Sequence, residues 1–255
     1  MKRQLSNKSW SSLITILAIS FVALFAIGCG SEAPAEPEIE PTPIPPTPTP
    51  DPAELVRAAG AAMTSLDSVQ FSMERSGGPA FVDADGLFAI NTATGAYAAP
   101  KSIAAALDVA GPGLNVKVET IAIGEQQWLT NFLTQQWEKL PEGFGFNPAI
   151  IFSANEGLEA IFNDNLVSAS NPRSESLDGT SYQLFDIEIE GDRVSAITAG
   201  TSVSDAPVPL QIWVDPSTNY IHRMVFETPS TGDEPSQWTL NFSGFNEPIT
   251  IEPPQ

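Results

Sequence analysis

Apolar positions first follow a helical spacing and then switch to strict alternation. Leu55, Ala58, Ala59, Ala62, Met63 and Leu66 form a single stripe on a helix of about four turns. Asp51-Pro52-Ala53-Glu54 precedes it, placing Asp at the N-cap, Pro at the first helical position and Glu at the third. From Ser68 the period becomes two: Val69, Phe71 and Met73 alternate with Gln70, Ser72 and Glu74. Similar runs lie near 80–90, 95–108, 113–123, 126–131, 165–171, 180–190, 209–215, 220–228 and 236–245. Asp85-Gly86, Gly124-Glu125, Asp178-Gly179 and Asp215-Pro216 supply turns between or within them. There is no strand–helix–strand rhythm, so the sheet is expected to be antiparallel. Helical interruptions are expected only at about 147–163 and 191–199. The pattern predicts one α+β domain, mostly strands, over residues 53–255.

The strands offer a single apolar face. Leu114, Val116 and Val118 oppose Asn115, Lys117 and Glu119, while Phe185, Ile187 and Ile189 oppose Asp186, Glu188 and Glu190. One long helix and two short ones are few for so much apolar wall. A sheet curved around them would either pack onto them fully or leave apolar volume for a hydrophobic ligand. Periodicity alone does not separate a filled core from a lined cavity.

The residues before the helix have another character. Lys2, Arg3 and Lys8 lead into an apolar run from Leu13 to Ile27, the length of a secretory h-region and short of a comfortable membrane span. It ends Ala26-Ile27-Gly28-Cys29, which resembles a bacterial lipobox. That resemblance implies a signal peptide over 1–28, acylation of Cys29, and lipid anchoring on the extracytoplasmic face of a cell membrane. Gly30 to Pro52 holds nine prolines with Glu32, Glu36, Glu38 and Glu40 among them, so residues 29–52 read as the acylated Cys and an extended tether.

Composition removes several functions. With 31 acidic against 11 basic side chains the formal charge is −20, and losing Lys2, Arg3 and Lys8 with the leader makes it −23. No basic face for nucleic acid is in view. One Cys and one His exclude an intramolecular disulfide and most metal centres built from those residues, so neither metal nor cofactor is expected. His222 lacks a G-x-S-x-G nucleophile elbow to serve and reads as structural, and no catalytic residue is assigned. Asp83-Ala84-Asp85-Gly86 resembles the opening of a calcium loop, yet the remaining ligands are absent and a hairpin turn is expected.

A resemblance to a known family runs through the domain. Trp128-Leu129-Thr130-Asn131, Trp137-Glu138-Lys139-Leu140-Pro141 and Gly145-Phe146-Asn147-Pro148 resemble the LppX/LprG lipoprotein family, best known from mycobacteria. Ala61-Ala62-Met63 through Phe71 is similar to its opening helix and first strand, and Trp238-Thr239-Leu240 with Phe245 to Ile251 to its ending. The resemblance implies a strongly curved antiparallel half-barrel, like that of LolA and LolB, with a few helices on its concave face enclosing a hydrophobic cavity. It implies an envelope carrier of multi-acyl lipids or lipoglycans, not an enzyme. The tether is longer and the charge more negative than the family leads one to expect. An envelope scaffold or sensor using the same fold is the alternative.

Candidate cavity residues follow from the apolar alternation: Val69, Phe71, Met73, Val116, Val118, Ile212, Val214, Met224 and Phe226 on strands, and Leu158, Ile161 and Phe162 on the second helix. Phe144, Phe146, Ile150 and Phe152, in a Gly- and Pro-punctuated segment, are candidates for an apolar lip. The expected partners are the acyl lipid or lipoglycan, the membrane through Cys29, and an envelope transporter, with the chain itself a monomer.

Overall fold

In the computed structural model, residues 50–83, 85–141 and 147–255 are described. The first helix, α1 (Pro52–Thr64), begins as its sequence predicts: Asp51 accepts a hydrogen bond from the Ala53 N–H at 3.0 Å, with Pro52 at the first position. It ends at Ser65, and β1 (Ser68–Gly77) follows directly.

Twelve strands among the described residues form one sheet, entirely antiparallel and not closed. On one side of β1 lie β2 (Ala89–Ala98), β3 (Ser102–Gly111), β4 (Leu114–Ile123), β5 (Gln126–Thr130) and β6 (Trp137–Lys139), in that order. On the other side lie the last strand, β12 (Ser236–Ser243), then β11 (Ile221–Thr228), β10 (Val208–Val214) and β9 (Thr180–Ile189). The strands β7 (Leu166–Ala169) and β8 (Arg173–Leu177) both pair with β9. The first and last strands of the domain therefore meet at its centre.

Two helical groups cover the apolar face. Helix α2 (Leu158–Asp164) packs on α1, and α1 reaches β7 and β11. Gly60 allows the close approach: a Cβ there would stand 3.0 Å from the Leu158 carbonyl oxygen and 3.0 Å from the Phe162 ring. Val56, Ala59 and Met63 are buried in one core with Phe185, Ile187, Ile212, Val214 and Met224 of β9–β11. A 3-10 turn at Pro148–Phe152 and the short α3 (Val194–Ile197) lie over the other half, touching each other and, through the turn, β3.

Some elements differ from the sequence pattern. The run expected over 95–108 divides into β2 and β3 at a turn through Ala99-Pro100 and Lys101, where Pro100 has no N–H to give a strand ladder. The run near 80–90 is mostly loop, with one isolated bridge from Phe81 to Ala89, the first residue of β2. The helix expected over 147–163 is two short pieces separated by Ser153–Gly157.

Candidate ligand cavity

Sheet geometry explains why one half of the concave face is filled and the other is not. Residues paired across antiparallel strands point to the same face, so each rung can be read from the register. One rung runs Phe242–Phe71–Gly95–Ala105–Thr120–Leu129, and the next runs Leu240–Met73–Ala93–Leu107–Val118. The positions on β2 and the middle of β3 are Ala93, Gly95 and Ala105. On β9–β11 the equivalent positions carry Phe185, Ile187, Leu210, Ile212, Met224 and Phe226. Large side chains meet the helices, whereas Ala93 and Ala105 leave a trough; the Phe71 ring covers Gly95, where a Cβ would fall 2.8 Å from it.

That trough is an apolar cavity of about 440 Å³. Side chains of β1–β5 and β12 converge on it, so six adjacent strands curve around one space. The 3-10 turn contributes Ile151 and Phe152, and the α3 region contributes Ala196 to Ala199 and Thr201. At one end Phe152 stacks on Tyr97, with centroids 4.4 Å apart, and stands edge-on to Phe242 at 6.1 Å. At the other end the cavity reaches Val82, Phe88 and Phe132, of which Val82 and Phe132 are exposed. Some polar atoms near its wall are already engaged: the Trp238 indole N–H donates to Thr228 Oγ1 at 2.9 Å, and Thr228 Oγ1 and Ser202 Oγ are 3.2 Å apart. The volume lies in the lower half of the range of about 300–1,000 Å³ common to ligand pockets.

The structure brings five of the sequence candidates to this wall: Phe71, Met73, Val116, Val118 and Phe152. It places Val69, Leu158, Ile161, Phe162, Ile212, Val214, Met224 and Phe226 in the packed core, away from the cavity lining. Ile150 is half-buried beside the cavity-lining Ile151. Phe144, Phe146 and Cys29 lie outside the described residues. Wall positions that the sequence reading passed over include Ala93, Ile103, Ala105, Leu107, Leu129 and Phe132. The available signal was the pair of small residues Ala93 and Ala105 at positions facing large ones.

Two loop features hold the exposed end of the cavity. Asp83 accepts from the backbone N–H groups of Leu87 (3.0 Å) and Phe88 (2.6 Å), and these donors hold its carboxyl below the ordinary range. The motif is the turn expected there. Arg75, on the concave side beside Trp238, donates to the carbonyls of Ile90, Gly77 and Gly78 and to Asn91 Oδ1, fastening both ends of the 78–89 loop.

His222 lies elsewhere. Its Nδ1 is 3.3 Å from the Tyr182 hydroxyl and its ring packs on Tyr182 and Phe245. Among the described residues, no group of three His, Cys, Asp or Glu side chains is arranged to hold a metal, and no helix is long and apolar enough to cross a membrane.

An open, all-antiparallel sheet with sparse helices over an apolar trough is a fold shared with known lipoproteins. The model of the LppX_LprAFG lipoprotein family matches residues 51–251, and the chain belongs to that family. The structure is similar to LprF from Mycobacterium bovis, with TM-score 0.61 and 15% identity over 81% of this chain and 98% of that one. It is also similar to the lipoprotein LppX from Mycobacterium tuberculosis, with TM-score 0.54 and 17% identity over 78% of this chain and 97% of that one. A LolA superfamily protein from Nitrosomonas europaea matches at 10% identity over 80% of this chain and 96% of that one, with TM-score 0.28, too low to bear on the fold. No curated protein matches.

Proposed function

We propose that this chain is a lipoprotein of the bacterial cell envelope that takes up the acyl tail of a lipid or lipoglycan and carries it, without chemistry, between membrane sites. The observation that carries this reading is the apolar trough floored by Ala93 and Ala105, open at the end marked by Val82 and Phe132. Its lining is mostly hydrocarbon, which suits a fatty chain better than a polar metabolite. Family membership supports the same direction. The volume favours one acyl tail over the several that the sequence resemblance implied, with the headgroup outside. Cys29, acylated and joined through the Pro-rich tether, would keep the carrier at the extracytoplasmic face, since the domain's acidity repels an anionic lipid surface.

The test is native mass spectrometry of gently purified protein, with Ala105→Phe as the comparison. Ala105 faces the cavity between Gly95 and Thr120, so a phenyl ring there fills the trough without touching the α1–α2 core. The parent protein should hold one acyl lipid per chain. The variant should fold normally and bind on the order of tenfold more weakly, about 1.4 kcal/mol. Absence of lipid from the parent, or undiminished lipid in Ala105→Phe, would overturn the proposal.

A further inference from the structure

Large apolar side chains are exposed mainly at one end of the molecule. The strand registers put the 78–88 loop, the β3–β4 hairpin and the β5–β6 hairpin at the same end of the sheet, because β1 ends there, β2 begins there, and β3 and β5 end there. These three connections carry Leu133, exposed to 78%, and Val82, Leu87, Leu114 and Phe132, exposed to between 42% and 50%. They act as one body. The Phe88 ring lies 5.8 Å from that of Phe132, and it fills the space a side chain at Gly111 would need, where a Cβ would fall 2.7 Å from the ring. Asp83 fixes the first loop from within.

Val82, Phe88 and Phe132 belong both to this rim and to the cavity wall. The apolar surface therefore runs unbroken from the interior to the outside of the loops. Such continuity is what an acyl chain needs to leave a bilayer without crossing water, since exposing it costs free energy in proportion to its area. Charge selects the kind of membrane. Asp85, Asp205, Asp233 and Glu234, all exposed, lie in loops at this same end and would repel an anionic headgroup layer. Reach permits the orientation: an extended tether over Gly30–Asp51, as the sequence leads one to expect, would at about 3.1 Å per residue span on the order of 70 Å. A ten-residue strand is only about 33 Å long, so an anchored domain can turn either end toward its own membrane.

We infer that the rim formed by Val82, Leu87, Leu114, Phe132 and Leu133 is a docking surface that inserts into a bilayer of electrically neutral headgroups, placing the cavity mouth against the lipid. The inference deepens the carrier reading and rests on it for the purpose of docking, but insertion is measured separately.

The full chain carrying Cys29→Ser, which keeps its apolar leader as the anchor, is given a single cysteine by Leu133→Cys and labelled with a solvatochromic fluorophore. It is then reconstituted into phosphatidylcholine vesicles. The label should shift to the blue and lose most of its intensity when the lipids are brominated along their tails. A control label at Ser174→Cys, exposed on β8 toward the opposite end, should do neither. Replacing much of the phosphatidylcholine by phosphatidylglycerol should weaken the response at position 133. If that label stays as aqueous as the control in phosphatidylcholine, the inference is overturned, even where native mass spectrometry still finds bound lipid. If it inserts while no lipid is found in the cavity, the docking surface stands and the carrier reading falls. Equal insertion of both labels would overturn it too, since the domain would then lie on the membrane without a preferred face.

Discussion

A histidine alone in a chain invites a catalytic reading, and the surroundings of His222 oppose one. Its ring is packed between Tyr182 and Phe245, and burial pushes its pKa below the ordinary value of 6.5, against the smaller opposing pull of the Asp215 carboxylate. The sign of the consequence follows from linkage. The folded state binds the proton less readily than the unfolded one, so the stability tied to neutral His222 is whole above about pH 6.5 and is lost as pH falls through the lower folded value. Urea unfolding near neutrality and at about pH 5 should show a smaller acid-side loss in His222→Gln than in the parent. Equal losses would show that the carboxylates alone set the acid limb. Residue type also decided what was readable in the cavity. Phe71, Met73, Val116 and Val118 stand out as large apolar residues in clean alternation. Ala93 and Ala105 do not, because a small residue is conspicuous only when one knows what faces it. Val69, Ile212, Val214, Met224 and Phe226 show the same alternation and yet meet helices or other core side chains.

Among elements, the contact of α1 with α2 depends on one position. Gly60 brings the two helices together where any side chain would press on the Leu158 carbonyl, the Glu159 Cα and the Phe162 ring. Gly60→Val should cost about 1–3 kcal/mol by overpacking, seen as a lower urea midpoint. Gly60→Ala should lose less, because alanine favours the helix by about 1 kcal/mol over glycine. A midpoint unchanged by valine would mean that α2 is free to shift. The long helix and most long strands were legible because a capping sequence and sustained alternation announce them. The strands β6 and β8 were not. Trp137–Lys139 has three residues, and Arg173–Leu177 reads Arg-Ser-Glu-Ser-Leu, so neither has an apolar face to report. Both owe their conformation to a neighbour, β5 or β9, that supplies the hydrogen-bonding partners.

For the whole molecule, a formal charge of −20 sits on few basic groups, and only two ion pairs occur among the described residues, Arg173–Asp186 and Arg193–Asp192. Both are exposed, so neither anchors the fold. The net effect of charge is self-repulsion, which salt screens over about 10 Å at 0.1 M. Thermal unfolding in rising sodium chloride should therefore move to higher temperature, most steeply at low ionic strength. A fall would mean that the ion pairs outweigh the repulsion.

The small floor residues have a last consequence for energetics. A fold normally gains dispersion energy by surrounding each interior atom with others, and along the β2–β3 strip this chain forgoes that gain. If the chain carries an acyl lipid as proposed, that lipid would serve as a removable piece of the hydrophobic interior, and loading and stability would be linked: the filled protein would be the tighter one, and unloading would return it to a looser one.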